Sequence, residues 1–303
     1  MANRTLIECT DATWNAVTGC GKISSGCKNC YAERHWKRLA GNPSTVYFKR
    51  PFTDVQTHPK RLSQPQHWRK PRLVFVNSMS DLFHEDVPFE FIHRLWQSMM
   101  AAHRHFYQIL TKRPDRAAAF FRWNAALPAE QRIRPHCKHI WLGVSVENQD
   151  MVDVRVTALL GLPAAVRWVC VEPLLGLVDL APYLDGRCAD RPFALADDLC
   201  LQCEAAETVG DPPGAIHWVV VGGENGPRAR PCHVEWLRRV VAQCREFSVP
   251  VFVRQLGAQA LWDIEGHTVL MPALARKISG RVQWPADLRT QEYPSYYIST
   301  LSY

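Results

Sequence analysis

The sequence lacks the long apolar segments of a membrane protein. Its 303 residues are 47% hydrophobic and 21% charged, yet no apolar run approaches the roughly 18 residues needed to cross a bilayer. The first ten residues are polar and charged and do not resemble a secretory signal peptide. We therefore expect a soluble, cytoplasmic protein with no membrane partner and with enough apolar residues for a sizeable core.

A secretory signal is also lacking, so we do not expect a disulfide framework although the chain contains eleven cysteines. Metal binding and buried thiols are the favoured interpretations. Five cysteines stand alone, mostly in or beside apolar stretches, and are expected to be small core residues: Cys9, Cys137, Cys170, Cys232 and Cys244. The other six form two groups, which are Cys20, Cys27 and Cys30, and Cys188, Cys200 and Cys203.

Acidic residues are nearly absent from residues 34–72, which we call the basic segment. It contains ten Lys or Arg residues and one acid, a net charge of +9, whereas the other 26 basic and 28 acidic residues sum to −2. Such asymmetry indicates an anionic partner. Its cations can neutralise phosphates and its aromatic rings can stack on bases, although a solvated surface with core aromatics is the alternative. The predicted nucleic-acid contacts are Arg34, Lys37, Arg38, Lys49 and Arg50.

Short apolar runs alternate with helical stretches along the chain. Most of the strand-like runs are continuous, which indicates strands buried on both faces. Repeated strand–helix units favour an α/β fold with a parallel sheet, built as a partial or full (β/α) barrel. The predicted strands are 13–17, 73–77, 107–111, 139–146, 167–171, 217–221 and 250–253. The predicted helices are 31–39, 89–103, 114–125, 150–160 and 233–246.

Two segments interrupt this alternation, and no internal repeat is present. Residues 41–72 are Pro-rich and basic, and residues 185–213 are polar and contain the second cysteine group. We interpret both as insertions in one barrel domain, residues 1–257, followed by a C-terminal extension, residues 258–303.

Polar residues follow five of the predicted strands. The working groups of a (β/α) barrel lie at the carboxyl ends of its strands, so these residues are expected to line a cavity. Two glycines follow one strand, but without GxGxxG or a following Lys they are a weak signal for a phosphate loop. The polar strand ends are residues 78–81, 111–114, 145–148, 172–173 and 222–225.

Cys20, Cys27 and Cys30 follow the first predicted strand and precede the first helix. Three thiolates leave one iron of a four-iron cluster open, which a chelating substrate requires, but thiolates suit zinc as well. Structural zinc normally takes four protein ligands, and the nearby candidate for a fourth, His35, lies farther along the helix. The spacing alone leaves an iron–sulfur cluster, zinc and redox-active or inert thiols open.

Several strings of the chain together resemble a known family. They are TDATWN (10–15), GC (19–20), GC (26–27), NCYAE (29–33), VNSMSDLF (76–83), LTKRP (110–114), GVSVE (143–147), EPL (172–174), GGENG (222–226) and RQLG (254–257). The chain resembles, over about residues 6–257, a phage- and bacteria-encoded family of unknown function with a three-cysteine motif. That family is similar to radical S-adenosylmethionine (SAM) enzymes of the spore-photoproduct-lyase branch.

The resemblance implies a radical SAM enzyme in which Cys20, Cys27 and Cys30 bind a 4Fe-4S cluster. In such enzymes an external donor supplies one electron through the cluster to SAM, and the 5′-deoxyadenosyl radical that forms abstracts a hydrogen from the substrate. The implied substrate is a nucleic acid or nucleotide that is modified or repaired. The spacing CxxxxxxCxxC is three residues longer than the usual CxxxCxxC, which puts the usual pose of SAM in doubt.

The same resemblance implies roles for the polar strand ends. A hydroxyl or carboxylate after the second strand contacts the methionyl part of SAM, and a cation after the third pairs with the SAM carboxylate or a substrate phosphate. The implied cofactor-binding residues are Ser78, Ser80 and Asp81 for the methionyl part, and Ser145 and Glu147 for the ribose. The implied catalytic residues are Lys112, with Arg113 as its alternative, and Glu172 and Glu224, which would face the substrate.

The second cysteine group suggests another metal. Cys188, Cys200 and Cys203 could bind zinc with His217 or Cys232 as the fourth ligand, or hold a second cluster. Two other functions stay open: a non-catalytic nucleic-acid-binding protein that contains zinc or an iron–sulfur cluster, and an iron–sulfur redox or sensor protein without SAM turnover. The polar strand ends favour the enzyme, because a binding module needs no such cavity.

Overall fold

The computed structural model describes residues 5, 7–185, 215–271, 281, 283–295 and 297. The chain divides into two compact units: unit 1 is Met1–Val144 with Leu162–Val166, and unit 2 is Ser145–Gly161 with Arg167–Tyr303. The cysteines of the second predicted metal site, Cys188, Cys200 and Cys203, lie outside the described residues. Within the described ranges, no helix is both long and apolar enough to span a membrane.

Unit 1 begins with two short strands and contains the first three long helices. Its strands are β1 (Ala12–Trp14), β2 (Val17–Thr18), β3 (Gln56–Thr57), β4 (Leu73–Val76), β5 (Phe106–Thr111) and β6 (Ile140–Val146), whose last two residues belong to unit 2. Its helices are α1 (Tyr31–Ala40), α2 (Phe89–Ala101) and α3 (Pro114–Ala125).

Unit 2 continues the alternation of strands and helices. Its strands are β7 (Val166–Val171), whose first residue belongs to unit 1, β8 (Trp218–Gly222), β9 (Cys232–His233), β10 (Val251–Gln255), β11 (Ala260–Ile264) and β12 (His267–Leu270). Its helices are α4 (Gln149–Leu160), α5 (Ala181–Leu184) and α6 (Val234–Glu246). The side chain of Asn148 caps α4 by accepting a hydrogen bond from the amide of Met151 at 3.1 Å.

The main sheet confirms the predicted α/β fold class. Its strands lie in the order β1-β4-β5-β6-β7-β8-β10, which is the order in which they follow each other in the chain. The pairings β1–β4, β4–β5, β5–β6, β7–β8 and β8–β10 are parallel. Strands connected in this way through helices form the succession of a (β/α) barrel, here an open and therefore partial one. Every residue of β6, β7 and β8 is buried, as their continuous apolar runs predicted.

The first predicted strand, residues 13–17, is wrong as a single element, because β1 and β2 are separate. Asn15, between them, turns its side chain to accept a hydrogen bond from the amide of Met79 at 3.0 Å. The amide of Val17 donates to the side chain of Asn77 at 3.0 Å. At this point the side chains of two asparagines accept hydrogen bonds from backbone amides. In a continuous sheet the carbonyls of the neighbouring strand would accept them, so the strand is interrupted here.

Residues 41–72 are more ordered than their lack of periodicity predicted. They contain β3, which pairs antiparallel with β2, and two 3-10 turns, Pro59–Arg61 and Gln64–His67. The carbonyl of Phe52 accepts a hydrogen bond from the amide of Cys20 at 2.9 Å. This contact joins the basic segment directly to the cysteine-containing loop.

The predicted C-terminal extension adds to the sheets of unit 2. Its strands β11 and β12 pair antiparallel, and β11 also pairs with β9. Farther along, the amide of Val253 donates to the carbonyl of Thr290, and that of Glu292 donates to the carbonyl of Val251, both at 3.0 Å. The extension therefore covers the outer edge of β10, which would otherwise present unpaired backbone groups.

Candidate functional site

The three predicted cluster ligands lie in one loop of unit 1, residues 19–30 between β2 and α1, which we call the cysteine loop. Cys20, Cys27 and Cys30 are all partly exposed, and none forms a disulfide. Gly19, at the start of the loop, has a φ of +93°, and a Cβ there would lie 2.3 Å from the carbonyl oxygen of Asp54. Only glycine fits this crossing of two backbone segments, so it sets the path into the loop.

Arg113, the residue before α3, connects the cysteine loop to two carboxylates. Its Nη1 donates to Sγ of Cys20 at 3.8 Å, and its Nη2 donates to the carbonyl of Gly21 at 3.2 Å. The same guanidinium donates from Nη1 to Asp81 at 3.2 Å and from Nε to Glu85 at 3.0 Å. A buried, fully charged side chain therefore contacts both the sulfur and the backbone of the loop.

Asp81 organises the ends of β4 and β5. Its Oδ1 accepts from the amide of Phe83 at 3.0 Å and from the hydroxyl of Thr111 at 2.7 Å. Its Oδ2 accepts from the amide of Lys112 at 3.0 Å, in addition to Arg113. Four donors already occupy this buried carboxylate. The side chain of Asp81 therefore positions its neighbours, and its contact with the methionyl part of SAM stays a prediction.

The thiols of Cys20 and Cys27 differ in their electrostatic surroundings. Burial, and then the carboxylate of Asp81, raise the pKa of Cys20 to about 12 against the opposite effect of Arg113. Burial also acts to raise the pKa of Cys27, but the ammonium of Lys112 and hydrogen bonds from the backbone outweigh it, so the net pKa is lowered. Cys27 is therefore the more easily ionised thiol of the two.

Ser78 and Ser80 follow β4 and lie beside the cysteine loop and the start of α1. The carbonyl of Ser78 accepts a hydrogen bond from the hydroxyl of Tyr31, the first residue of α1, while its own hydroxyl donates to Asn15 at 3.2 Å. Ser80 forms a backbone bridge with Gly19. Because both serines are partly exposed, they remain the predicted contacts for the methionyl part of SAM.

The donor set of the cysteine loop fits an iron–sulfur cluster. Among the residues that the structure describes, no three His, Cys, Asp or Glu side chains gather closely enough to hold a metal ion. Each thiolate of a four-iron cluster binds a different iron, so the three sulfurs of such a site need not converge on one atom. Three free thiols, with a guanidinium beside Cys20 and an ammonium beside Cys27, are donors that suit such a cluster, and thiolates also suit zinc.

The predicted ribose contacts of unit 2 belong to an internal network. The completely buried carboxylate of Glu147 accepts a hydrogen bond from Nη1 of Arg155 at 3.0 Å, and this same Nη1 donates to the carbonyl of Ser145 at 2.7 Å. The hydroxyl of Ser145 donates to the carbonyl of Glu172 at 3.2 Å. Both predicted residues are thus engaged in holding the end of β6 against α4 and β7.

The two predicted catalytic glutamates are each paired with an arginine. Glu172 accepts hydrogen bonds from Arg254 and Gln255. Glu224 accepts from both Nη2 and Nε of Arg230, at 2.6 and 2.9 Å. The residues that sequence reasoning missed are therefore these arginines, which make each position a carboxylate–guanidinium pair. The RQLG string contained the only local signal for Arg254.

The GGENG and RQLG strings meet as two backbones in unit 2. A Cβ on Gly223 would lie 2.4 Å from the carbonyl oxygen of Leu256 and 2.9 Å from Cα of Gly257. The amide of Gly223 donates to the carbonyl of Gln255 at 3.1 Å. Close backbone approach explains why glycines occupy these positions, and it places Glu224 next to the end of β10.

Three of the predicted nucleic-acid contacts are exposed near the end of α1. Lys37 and Arg38 occupy its last turn, and the backbone of Lys49 bonds to the carbonyl of Ala40 at 2.9 Å. Arg34, one turn earlier, is partly exposed. The structure therefore brings these cations of the basic segment to one end of one helix.

Arg50 does not belong to this exposed group. Its Nε pairs with Asp54 at 2.6 Å, and its guanidinium lies 5.7 Å from the ring centroid of Trp36. Tyr47 and Phe52 pack edge-on against the same ring, at centroid distances of 4.7 and 5.3 Å. The charge of Arg50 is thus paired internally and these rings pack into a small core, while the contact of Arg50 with nucleic acid stays a prediction.

Comparisons with known proteins match this chain to a family whose function is unknown. The profile of the family described as "Protein of unknown function (DUF5131)" matches residues 4–284. No curated protein matches the chain. Spore photoproduct lyase complexed with dinucleoside spore photoproduct aligns with a TM-score of 0.40 and 12% identity, over 81% of this chain and 64% of that one. A single-site variant of spore photoproduct lyase aligns with a TM-score of 0.42 and 12% identity, over 93% and 75% of the two chains. The chain thus spans slightly less than two thirds of the length of the first of these structures.

Proposed function

This chain belongs to the DUF5131 family of proteins of unknown function, and we propose that it is a radical SAM enzyme that modifies or repairs a nucleic acid or nucleotide. The observation that carries the proposal is the cysteine loop, with three free and partly exposed thiols between the first strands of unit 1 and α1. Structural zinc normally takes four protein ligands, whereas a four-iron cluster that binds a substrate needs one iron without a protein ligand.

The residues around the loop have separate proposed tasks. Cys20, Cys27 and Cys30 would hold the 4Fe-4S cluster, which together with bound SAM supplies one-electron chemistry. Lys112 lowers the pKa of Cys27, so its ammonium would stabilise that thiolate and attract the SAM carboxylate or a phosphate. Ser78, beside the loop, would contact the methionyl part of SAM.

The carboxylate–guanidinium pairs of unit 2 are the proposed substrate contacts. Glu172 and Glu224 each hold an arginine in a fixed orientation, and the side chains of Arg230 and Arg254 keep 24% and 23% of their surface exposed. A guanidinium fixed in this way can donate to phosphate or to the acceptor edge of a base. The glutamates would accordingly act through the arginines that they orient.

The exposed cations at the end of α1 are the proposed contacts to the phosphate backbone. Lys37→Gln with Arg38→Gln should reduce the slope of log affinity against log salt by about 1.4 to 1.8 for DNA, because each phosphate contact contributes about 0.7 (single strand) to 0.9 (duplex). Arg122→Gln with Lys138→Gln removes two other exposed cations and should leave the slope unchanged. Equal slopes for both double variants and the wild type would contradict the proposed contact between α1 and the phosphate backbone.

The decisive experiment is anaerobic reconstitution of the full chain with iron and sulfide, followed by SAM and a one-electron reductant. Formation of 5′-deoxyadenosine that is lost in Cys27→Ala and kept in Cys137→Ala, a partly exposed cysteine outside the loop, would support the proposal. A colourless, zinc-loaded protein without SAM cleavage would identify a nucleic-acid-binding protein instead. A cluster without SAM cleavage would identify a redox or sensor protein.

Metal analysis of the same preparation tests the second cysteine group. Zinc in addition to iron, lost when Cys200 and Cys203 are both changed to serine, would support the predicted second metal. Iron alone would contradict a zinc site at Cys188, Cys200 and Cys203.

A further inference from the structure

We infer that Arg113 is a positioning residue of the cysteine loop, which fixes Cys20 in place and sets the charge environment of whatever that sulfur binds. Its guanidinium is the one group that contacts the sulfur of Cys20 and the carbonyl of Gly21 together, at 3.8 and 3.2 Å, among the hydrogen bonds described here. The part of the inference that concerns electron transfer rests on the proposed iron–sulfur function, and the part that concerns the loop does not.

The shape of the guanidinium matters for this role. Its Nε is held by Glu85 at 3.0 Å and its Nη1 by Asp81 at 3.2 Å. Nη1 and Nη2 donate to the cysteine loop. A planar, rigid fork can make these bonds at once, whereas a lysine ammonium is a point charge on a flexible chain. Arg113 therefore links the loop to the strand ends in a way that lysine cannot reproduce.

Arg113 is itself held firmly. Its amide donates to the hydroxyl of Thr111 at 2.9 Å, and that hydroxyl donates to Asp81 at 2.7 Å. Its side chain keeps only 5% of its surface exposed. Because its backbone and its guanidinium are both tied to Asp81, the position of Cys20 depends on the junction between β4 and β5.

Gly21 is held from the opposite side as well. Its amide donates to Nε2 of His84 at 3.2 Å while its carbonyl accepts from Arg113. A Cβ on Gly21 would lie 3.3 Å from that histidine nitrogen and 3.6 Å from Nη2 of Arg113. Gly21, the residue after Cys20, is thus hydrogen-bonded to two side chains, which leave little space around it.

A buried guanidinium that donates to a thiolate stabilises the anionic form and withdraws charge from the sulfur. Hydrogen bonds to ligand sulfurs and nearby positive charge both raise the reduction potential of an iron–sulfur cluster. Arg113 would therefore make a cluster bound at Cys20 easier to reduce.

Hydrogen exchange of the apo full chain tests the positional part. Arg113→Gln should increase deuterium uptake of the peptide covering residues 18–30, and Arg113→Lys should increase it less. Arg122→Gln, at an exposed arginine on α3, the helix that follows Arg113, should leave uptake unchanged. Glu85→Gln removes only an exposed carboxylate that holds Arg113 and should cause a small increase in deuterium uptake of the same peptide. This variant keeps the test valid if Arg113→Gln does not fold. Wild-type uptake in both Arg113→Gln and Glu85→Gln would overturn the inference.

Redox titration of the reconstituted protein tests the electrostatic part. The midpoint potential should shift to more negative values in Arg113→Gln, shift less in Arg113→Lys and stay unchanged in Arg122→Gln. A wild-type potential in Arg113→Gln would overturn this part. If the wild-type chain takes up no cluster, the proposed function fails, while the exchange experiment still decides whether Arg113 positions the loop.

Discussion

The carboxylate of Glu147, which has no exposed surface, accepts a hydrogen bond from the guanidinium of Arg155 at 3.0 Å. The pair joins the end of β6 to α4 inside the core of unit 2. Burying two charges is costly, and the cost is offset only when both have good partners. Arg155 meets this condition with a second bond to the carbonyl of Ser145 at 2.7 Å.

Loss of Arg155 should therefore be strongly destabilising. Arg155→Met should lower the free energy of unfolding by about 3–5 kcal/mol, because the charge of Glu147 stays buried without this cation. Urea denaturation measures the loss. Arg238→Met removes a partly exposed ion pair with Asp287 and should cost less than about 1 kcal/mol. Similar losses in both variants would contradict a special role for the buried pair.

The hydroxyl of Thr111 should contribute measurably to the junction that holds Arg113. Thr111→Val keeps the shape of the side chain but removes the bond to Asp81 at 2.7 Å and the acceptor for the amide of Arg113. We expect a loss of about 1–3 kcal/mol in unfolding free energy. Thr268→Val removes an exposed hydroxyl–carboxylate bond and serves as the control, with an expected change below about 0.5 kcal/mol.

The crossing at Gly223 should tolerate no side chain. Gly223→Ala would place a Cβ 2.4 Å from the carbonyl of Leu256, and because both groups are backbone the two segments must separate. We expect a loss of about 1–3 kcal/mol, measured by thermal or urea unfolding. Gly176 has no atom within 4 Å of an added Cβ, so Gly176→Ala should be close to neutral. A Gly223→Ala variant with the unfolding free energy of the wild type would show that the two backbone segments can separate at this crossing without cost.

Stability should depend on pH through His58. Burial, followed by the charges of Arg61 and Arg50, lowers the pKa of His58 from 6.5 to about 4. Between these values the unfolded chain binds a proton that the folded chain does not, so stability falls as the pH decreases from about 6.5 to about 4. His58→Gln, which can keep a bond to the hydroxyl of Thr18, should flatten this decrease.

The measurement is the midpoint of urea unfolding of both proteins at pH 7, 6 and 5. Burial also lowers the pKa values of His105 and His139. These histidines remain in both proteins, so the difference between the two curves isolates His58. Parallel curves would mean that His58 ionises equally in the folded and unfolded chains.

Much of the fold was predictable because its signals are local. Continuous apolar runs predicted β4, β5, β7 and β8 within one residue at each end, and the cysteine spacing placed the loop before α1. The polar strand ends were also visible. The first strand was not predicted correctly, because its interruption depends on Asn15 and Asn77, which bond to distant residues.

The partners of the site residues were the part that sequence could not provide. Asp81, Glu147, Glu172 and Glu224 all looked like free carboxylates at strand ends, yet each is paired with an arginine that lies between 6 and 82 positions away in the chain. A strand pattern shows which face a residue occupies but not which side chain meets it from a neighbouring element.

The sequence by itself determined the β/α alternation, the loop of three thiols and the concentration of positive charge, because each is a property of composition and spacing along the chain. Tertiary structure alone decided which charges are exposed and which are used internally: Lys37 lies on the surface, whereas Arg50 is held by Asp54 and Arg113 by Asp81. The physical reason is that a charge is stable in the interior only beside its partner, and folding brings the partners together.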